Sequence, residues 1–269
     1  MFINNINPVI IHWNSISIRY YGVFLALGVI LAFLVIRKII KEKRGSVDLL
    51  LDLTIWLIIG GVIGARLGHI FFYNLEYYLK NPLEILFINH GGLSSHGLTI
   101  GLIITALLFQ KIKKMDLKKY LDPVAIGLPL FAGFIRLSNF TNSEIVGRAT
   151  NLPWAVKFPR HELNPIARHP SQIYEALTLF SIFLILYFVN KKYGKKLPQL
   201  FITHLFILLY FSTRFLIEFV KEYQTLTPSF FLTMGQWLSL PFVFWAVGWF
   251  IQLKLNKPTI PAGKQKIPT

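Results

Sequence analysis

Cysteine is absent from all 269 residues. Without a thiol in the chain, disulfides, thiolate metal sites and a resident cysteine nucleophile are excluded, whatever the compartment. Charge is scarce as well: Asp, Glu, Lys and Arg make up only 15% of the residues, against 54% apolar ones that include 24 Phe. That balance is typical of integral membrane proteins and not of soluble domains. The first fifteen residues lack the basic stretch and apolar core of a cleavable leader, so the first apolar run is expected to act as the targeting signal. The net charge of +16 comes with no nucleic-acid motif and no aromatic-interleaved basic stripe, which argues against a nucleic-acid partner. His90 and His96 are six apart with no third donor at ligand spacing, so neither a metal nor a cofactor is expected.

What the chain does have is long apolar runs. Seven reach or approach the roughly 20 residues that cross a bilayer: Ile18 to Ile36, Leu49 to Phe72, Leu98 to Phe109 with its flanks, Leu121 to Ile135, Ile173 to Val189, Leu200 to Phe219 and Gly235 to Leu253. The third is short, and the fourth is expected to be discontinuous at Pro123 and Pro129, which requires it to face protein or water. Lys and Arg gather in RKIIKEKR (Arg37 to Arg44), KIKKMDLKK (Lys111 to Lys119), KKYGKK (Lys191 to Lys196) and the tail after Leu253. These four segments hold 18 of the 28 basic residues. With seven spans they share one side, so the positive-inside rule sets the N-terminus outside and the C-terminus in the cytoplasm. The expectation is an all-α polytopic membrane domain over residues 1–269, with residues 140–169, rich in proline, forming a small irregular extracytoplasmic cap. Gly60, Gly64 and Gly68, at four-residue spacing, predict close helix packing.

The ten remaining basic residues lie in spans or outward loops, where charge is costly and calls for a partner or a function. In GFIRLSNFTNSEIVGR (Gly133 to Arg148), Arg136 and Asn139 share a face if the helix continues. One reading has Asn139 and Asn142 capping backbone ends and Arg136 snorkelling to headgroups. The other has them binding substrate. In TRFLIEF (Thr213 to Phe219), Arg214 and Glu218 are four apart, which suits either a self-neutralising pair or an arginine that holds an anion. His96, at the mouth of the third span, is either a hydrogen-bonded structural residue or a proton acceptor. Arginines with Asn and Tyr neighbours suit a phosphate group. Together with one histidine they point to a lipid phosphate as substrate and to removal of a proton.

These residues resemble the bacterial prolipoprotein diacylglyceryl transferases. The signature falls on Gly133, Arg136, Asn139, Phe140, Asn142, Glu144 and Gly147. RYYG, GARLGHIFFYN, GGLSSHG, RHPSQIYE, RFLIEF and MGQWLSLP follow the family's block order over nearly the whole chain. Leu98 stands where the family often has glycine, and Lys221 where it often has arginine. The resemblance implies transfer of the diacylglyceryl group of phosphatidylglycerol to the lipobox cysteine thiol of a prolipoprotein signal peptide, with release of glycerol phosphate. It implies a bacterial inner-membrane protein that contacts membrane lipids and whose active site lies towards the extracytoplasmic face. His96, Arg136 and Arg214 are the implied catalytic residues. Tyr21, Asn139, Glu144, Gly147 and Glu218 are implied in substrate binding, and Arg66, His169, Gln172 and Tyr174 form a second line. An ordinary thiol and an ordinary imidazole differ by about two pKa units, so proton transfer between them costs about 2.7 kcal/mol before nearby cations help. The alternatives are an anion or lipid transporter, disfavoured by the lack of an inverted repeat; a hydrolase, disfavoured by the lack of a nucleophile elbow or metal set; and a family member without activity.

Overall fold

The computed structural model describes residues 2–14, 16–87, 91–222 and 231–256. His90 and the last basic residues of the tail lie outside the described residues. In chain order the elements are β1 (Phe2–Ile3), β2 (Val9–Trp13), β3 (Ile16–Arg19), α1 (Tyr20–Glu42), α2 (Val47–Tyr73), α3 (Leu75–Lys80), a 3₁₀ turn at Pro82–Leu86, α4 (Ser95–Lys113), α5 (Lys118–Asn142), β4 (Val156–Lys157), β5 (Ala167–Arg168), α6 (Ser171–Tyr193), α7 (Phe201–Ile217) with a 3₁₀ extension to Val220, and α8 (Met234–Leu255). Among the described residues, seven helices are long and apolar enough to cross a membrane, one for each run read from the sequence.

Local chemistry sets the helix ends. Ser46 and Ser94 cap α2 and α4 by accepting the Leu49 and Gly97 amides. Thr233 and Gln236 form a reciprocal capping box at the start of α8. Lysines fill the last turns of α1, α4, α6 and α8, where the helix dipole favours cations.

Two sequence expectations need correcting. Ile18 and Arg19 do not begin α1. They belong to β3, which pairs antiparallel with β2 through a turn in which Asn14 adopts a left-handed φ of 50°. The fourth span is not discontinuous either: α5 runs unbroken through Pro123 and Pro129. Both prolines are fully buried, so packing around them offsets the backbone hydrogen bonds they cannot donate. Because α5 continues to Asn142, the irregular segment starts three residues later than its composition suggested. Leu98 sits in regular helix, its side chain beside Gly61, so it leaves the backbone of α4 undisturbed.

The chain divides into two compact units, residues 34–124 and residues 1–33 with 125–269. In the first, α2 and α4 pack through facing glycines. A Cβ on Gly64 would lie 2.6 Å from both Gly101 Cα and Gly97 O, and one on Gly68 2.5 Å from Gly97 Cα. The predicted stripe is therefore a backbone-to-backbone contact. Lys113 closes it with an ion pair to Asp52 at 2.7 Å.

In the second unit, α7 and α8 interlock through aromatic rings: Phe211 stacks on Phe242 at 4.3 Å, and buried His204 stacks on Trp249 at 4.0 Å. Gly133 presents its bare face to the Phe180 ring, 2.5 Å from where a Cβ would stand. Between α5 and α6, residues 143–170 form an insert around Val146, Val156 and Phe158. Its β4 pairs antiparallel with β5 and parallel with β1.

Gly64→Ala drives a methyl group into the α4 backbone and is expected to lower stability by about 1–3 kcal/mol, read as a drop in thermal midpoint in detergent. Gly248→Ala, with nothing within 4 Å of the added carbon, is expected to leave the midpoint unchanged or raise it.

Candidate functional site

The last turn of α5 carries several polar side chains within a helix apolar enough to cross a membrane. Ser138 and Thr141 return their hydroxyls to backbone carbonyls three residues earlier. Arg136 and Asn139 instead point along a chain of polar groups. Arg136 Nη1 donates to Asn139 Oδ1 at 3.3 Å, and Asn139 Nδ2 donates to Glu144 Oε2 at 3.1 Å. Asn142 Nδ2 reaches the other Glu144 oxygen, also at 3.1 Å. The asparagines thus hold Glu144 and do not cap backbone ends. Tyr21, from α1, lies close enough to feel the charges of both Glu144 and Arg136.

Glu144 is set by its backbone. Ser143 and Ile145 on either side have φ of 58° and 55°. A β-branched residue in the left-handed region is strained, and such strain persists only where the surroundings impose it. Here Ser171 Oγ donates to Ile145 O at 2.8 Å, and fully buried Gln172 donates to Glu144 O at 2.6 Å. Gln172 therefore supports the turn through its backbone.

A second cluster joins this one through Glu175, which is 7% exposed. Its carboxylate pairs with Arg136 Nε at 3.1 Å and with Lys221 Nζ at 3.2 Å. Lys221, equally buried, also lies 4.0 Å from Glu218. The Glu218 carboxylate rests against Gly235 in the first turn of α8, where a Cβ would stand 2.5 Å from it. A helix N-terminus suits a carboxylate. Glu218 is thus committed to Lys221 and α8 and not to Arg214, so the self-neutralising pair does not form. Among the described residues the Arg214 guanidinium has no hydrogen bond or ion pair. It lines one small pocket together with Arg136, Glu175, Tyr210 and Thr213.

The insert fixes the remaining groups of this unit. Gly147 lies where strands cross: its amide donates to His169 O at 3.0 Å, and a Cβ would stand 2.6 Å from His169 and 2.7 Å from Val220 O. Arg168 grips Glu162 with two nitrogens, at 2.9 and 2.8 Å, and Glu222 with a third at 2.9 Å. Its charge-assisted hydrogen bonds pull the Glu162 pKa down to about 2. His169 Nδ1 lies 3.3 Å from the Tyr174 hydroxyl, to which Trp154 Nε1 donates at 2.8 Å. Burial lowers the His169 pKa.

Arg66 and His96 belong to the other unit. Arg66 is 4% exposed and donates to the carbonyls of Glu84, Ile85, Phe87, Gly91 and Gly92, with its guanidinium 5.0 Å from the Tyr78 ring. Gly91 and Gly92 have φ of 86° and 77°, which glycine adopts without strain. Arg66 thus fastens a loop and has no donors to spare for a ligand. His96 is exposed on the first turn of α4 and has no partner among the described residues.

The structure therefore brings Tyr21, Arg136, Asn139, Glu144, Arg214 and Glu218 into one region and leaves Arg66 to the scaffold. Sequence reasoning missed Glu175 and the pairing of Lys221 with it. The available signal was a carboxylate in the first turns of an apolar span, which demands a cation.

The chain is similar to known proteins over most of its length. The prolipoprotein diacylglyceryl transferase family profile matches residues 8–252. Phosphatidylglycerol–prolipoprotein diacylglyceryl transferases of Bacteroides fragilis, Tolumonas auensis and Brucella anthropi are 40%, 38% and 35% identical to the chain. The alignments cover 89%, 89% and 90% of this chain and 90%, 92% and 91% of those proteins.

Lys221→Met removes the cation that Glu175 and Glu218 share, leaving Glu175 with Arg136 alone, and is expected to cost about 3–5 kcal/mol in denaturant unfolding from micelles, whereas Lys221→Arg retains most of the stability. Glu162 has a depressed folded-state pKa, so its contribution is complete above its ordinary value of 4.5 and is lost as pH falls towards about 2. Limited proteolysis of the insert should therefore accelerate across that window, and Glu162→Gln should remove the pH dependence.

Proposed function

The chain belongs to the prolipoprotein diacylglyceryl transferase family, and from that premise we propose how its residues carry out the diacylglyceryl transfer of lipoprotein maturation. Arg136 and Arg214 receive the phosphate of phosphatidylglycerol. The acceptor is the lipobox cysteine of a prolipoprotein, presented by its signal helix within the membrane. The observation that carries this assignment is Arg214, a guanidinium without a protein partner among the described residues that lines the same pocket as Arg136.

The reaction is displacement at carbon. The cysteine loses its proton, the thiolate attacks the glyceryl carbon bonded to the phosphate oxygen, a C–S bond forms and the C–O bond breaks. The electron pair leaves on the phosphate as glycerol phosphate. Negative charge grows on the phosphate as the bond breaks, so cations fixed around it stabilise the transition state more than the ground state. Glu175 and Asn139 orient Arg136, and Glu144 and Tyr21 extend the polar surround of the headgroup. Proton removal falls to His96 by family resemblance, and its exposed, unpartnered imidazole is suited to that work. The distribution of lysine and arginine supports a multi-pass inner-membrane orientation in which the polar end of α5 and α7 faces outward and the basic loops face the cytoplasm.

Purified protein incubated with phosphatidylglycerol and a lipobox peptide is expected to yield thioether product and glycerol phosphate. Arg214→Ala should lower turnover by about a hundredfold to a thousandfold with no loss of thermal stability, and His96→Gln should abolish product while leaving the protein folded. Wild-type turnover in Arg214→Ala would refute the assignment.

A further inference from the structure

Beside the pocket of Arg136 and Arg214 lies an open groove of about 480 Å³, walled by Leu152, Trp154, His169, Tyr174, Leu216 and Ile217. Ile217 lines both spaces, so one side chain is common to the two walls. Within the transferase reading above, on which this inference rests, we propose that the groove seats the apolar residues preceding the acceptor cysteine of the polypeptide substrate.

Three observations carry it. The first is continuity. Displacement at the glyceryl carbon needs sulfur within about 3–3.5 Å of it, so the cysteine-bearing segment must be lodged against the pocket that holds the phosphate, and the groove meets that pocket at Ile217.

The second is the composition of the walls. Leu152, Leu216 and Ile217 offer an apolar surface, while Trp154, Tyr174 and His169 form a hydrogen-bonded row. An extended peptide brings carbonyls and amides that need partners when removed from water. An acyl chain brings none and has no use for such a row. Burial keeps the His169 imidazole below its ordinary pKa, so near neutral pH this wall is polar without being cationic.

The third is exposure. Leu216 is 64% and Trp154 57% exposed, and an aromatic and an aliphatic side chain beside a concave surface are typical anchors for a bound segment. The volume lies within the range of about 300–1,000 Å³ usual for ligand sites.

The absence of native cysteine makes a direct test possible. Leu216→Cys in the groove and Phe244→Cys on exposed α8 are each oxidised with a lipobox peptide whose only thiol is the acceptor cysteine. Disulfide adduct is expected at position 216 at about tenfold or more over position 244. Equal yields, or none at 216 while wild type still transfers, overturn the proposal. In steady-state kinetics Trp154→Ala should raise KM for the peptide about tenfold and leave KM for phosphatidylglycerol within about twofold, and Trp154→Phe should recover most of the loss. The opposite split would assign the groove to an acyl chain and defeat peptide seating. If wild type forms no thioether yet Leu216→Cys crosslinks selectively, the transferase reading fails and the seating of the peptide stands.

Discussion

The polar end of the second unit depends on the neutralisation of one buried carboxylate. Glu175 is removed from water and would be prohibitively costly alone. Arg136 from α5 and Lys221 from beyond α7 supply the opposing charge, so three separate parts of the chain must meet for any of them to be tolerated. The same requirement orients Arg136, held by Glu175 on one side and Asn139 on the other. Lys221 in turn shares its charge with Glu218, which leans on the start of α8. Every carboxylate here has an internal duty. The cation left without one among the described residues, Arg214, is the cation available to a ligand.

Much of this was legible in the sequence, for identifiable reasons. The spans were visible because a bilayer imposes a minimum apolar length, and the glycine stripe because four-residue spacing puts small residues on one helical face. The Arg136–Asn139–Glu144 row was legible because polar side chains at the end of an apolar run need an explanation. Features set by partners distant in the chain were not. Ile18 and Arg19 suit either a helix start or a strand, and pairing with β2 decides between them. Pro123 and Pro129 predict a break in an isolated helix, yet both are buried in packed surroundings within a continuous one. Lys221 lies 46 residues from Glu175, and no spacing rule joins them.

The insert shows how an irregular segment becomes a fixed surface. Gly147 admits two neighbouring backbones at once, and Arg168 ties Glu162 and Glu222 across it. The carbonyls of Glu144 and left-handed Ile145 are held by side chains of α6, so the direction of Glu144 is set by a helix that follows it in sequence. The strain is local and its restraint is not, which ties the carboxylate to the rest of its unit.

The glycine interface of α2 and α4 has a mechanical consequence. Helices usually slide past one another by exchanging side-chain rotamers within the layer that separates them. Here that layer is missing, because main chain rests on main chain. The two helices must therefore travel as one stiff plank. Any displacement of the His96 turn carries with it the loop that Arg66 fastens to α2, and the imidazole gains a rigid mount from residues that never touch a substrate.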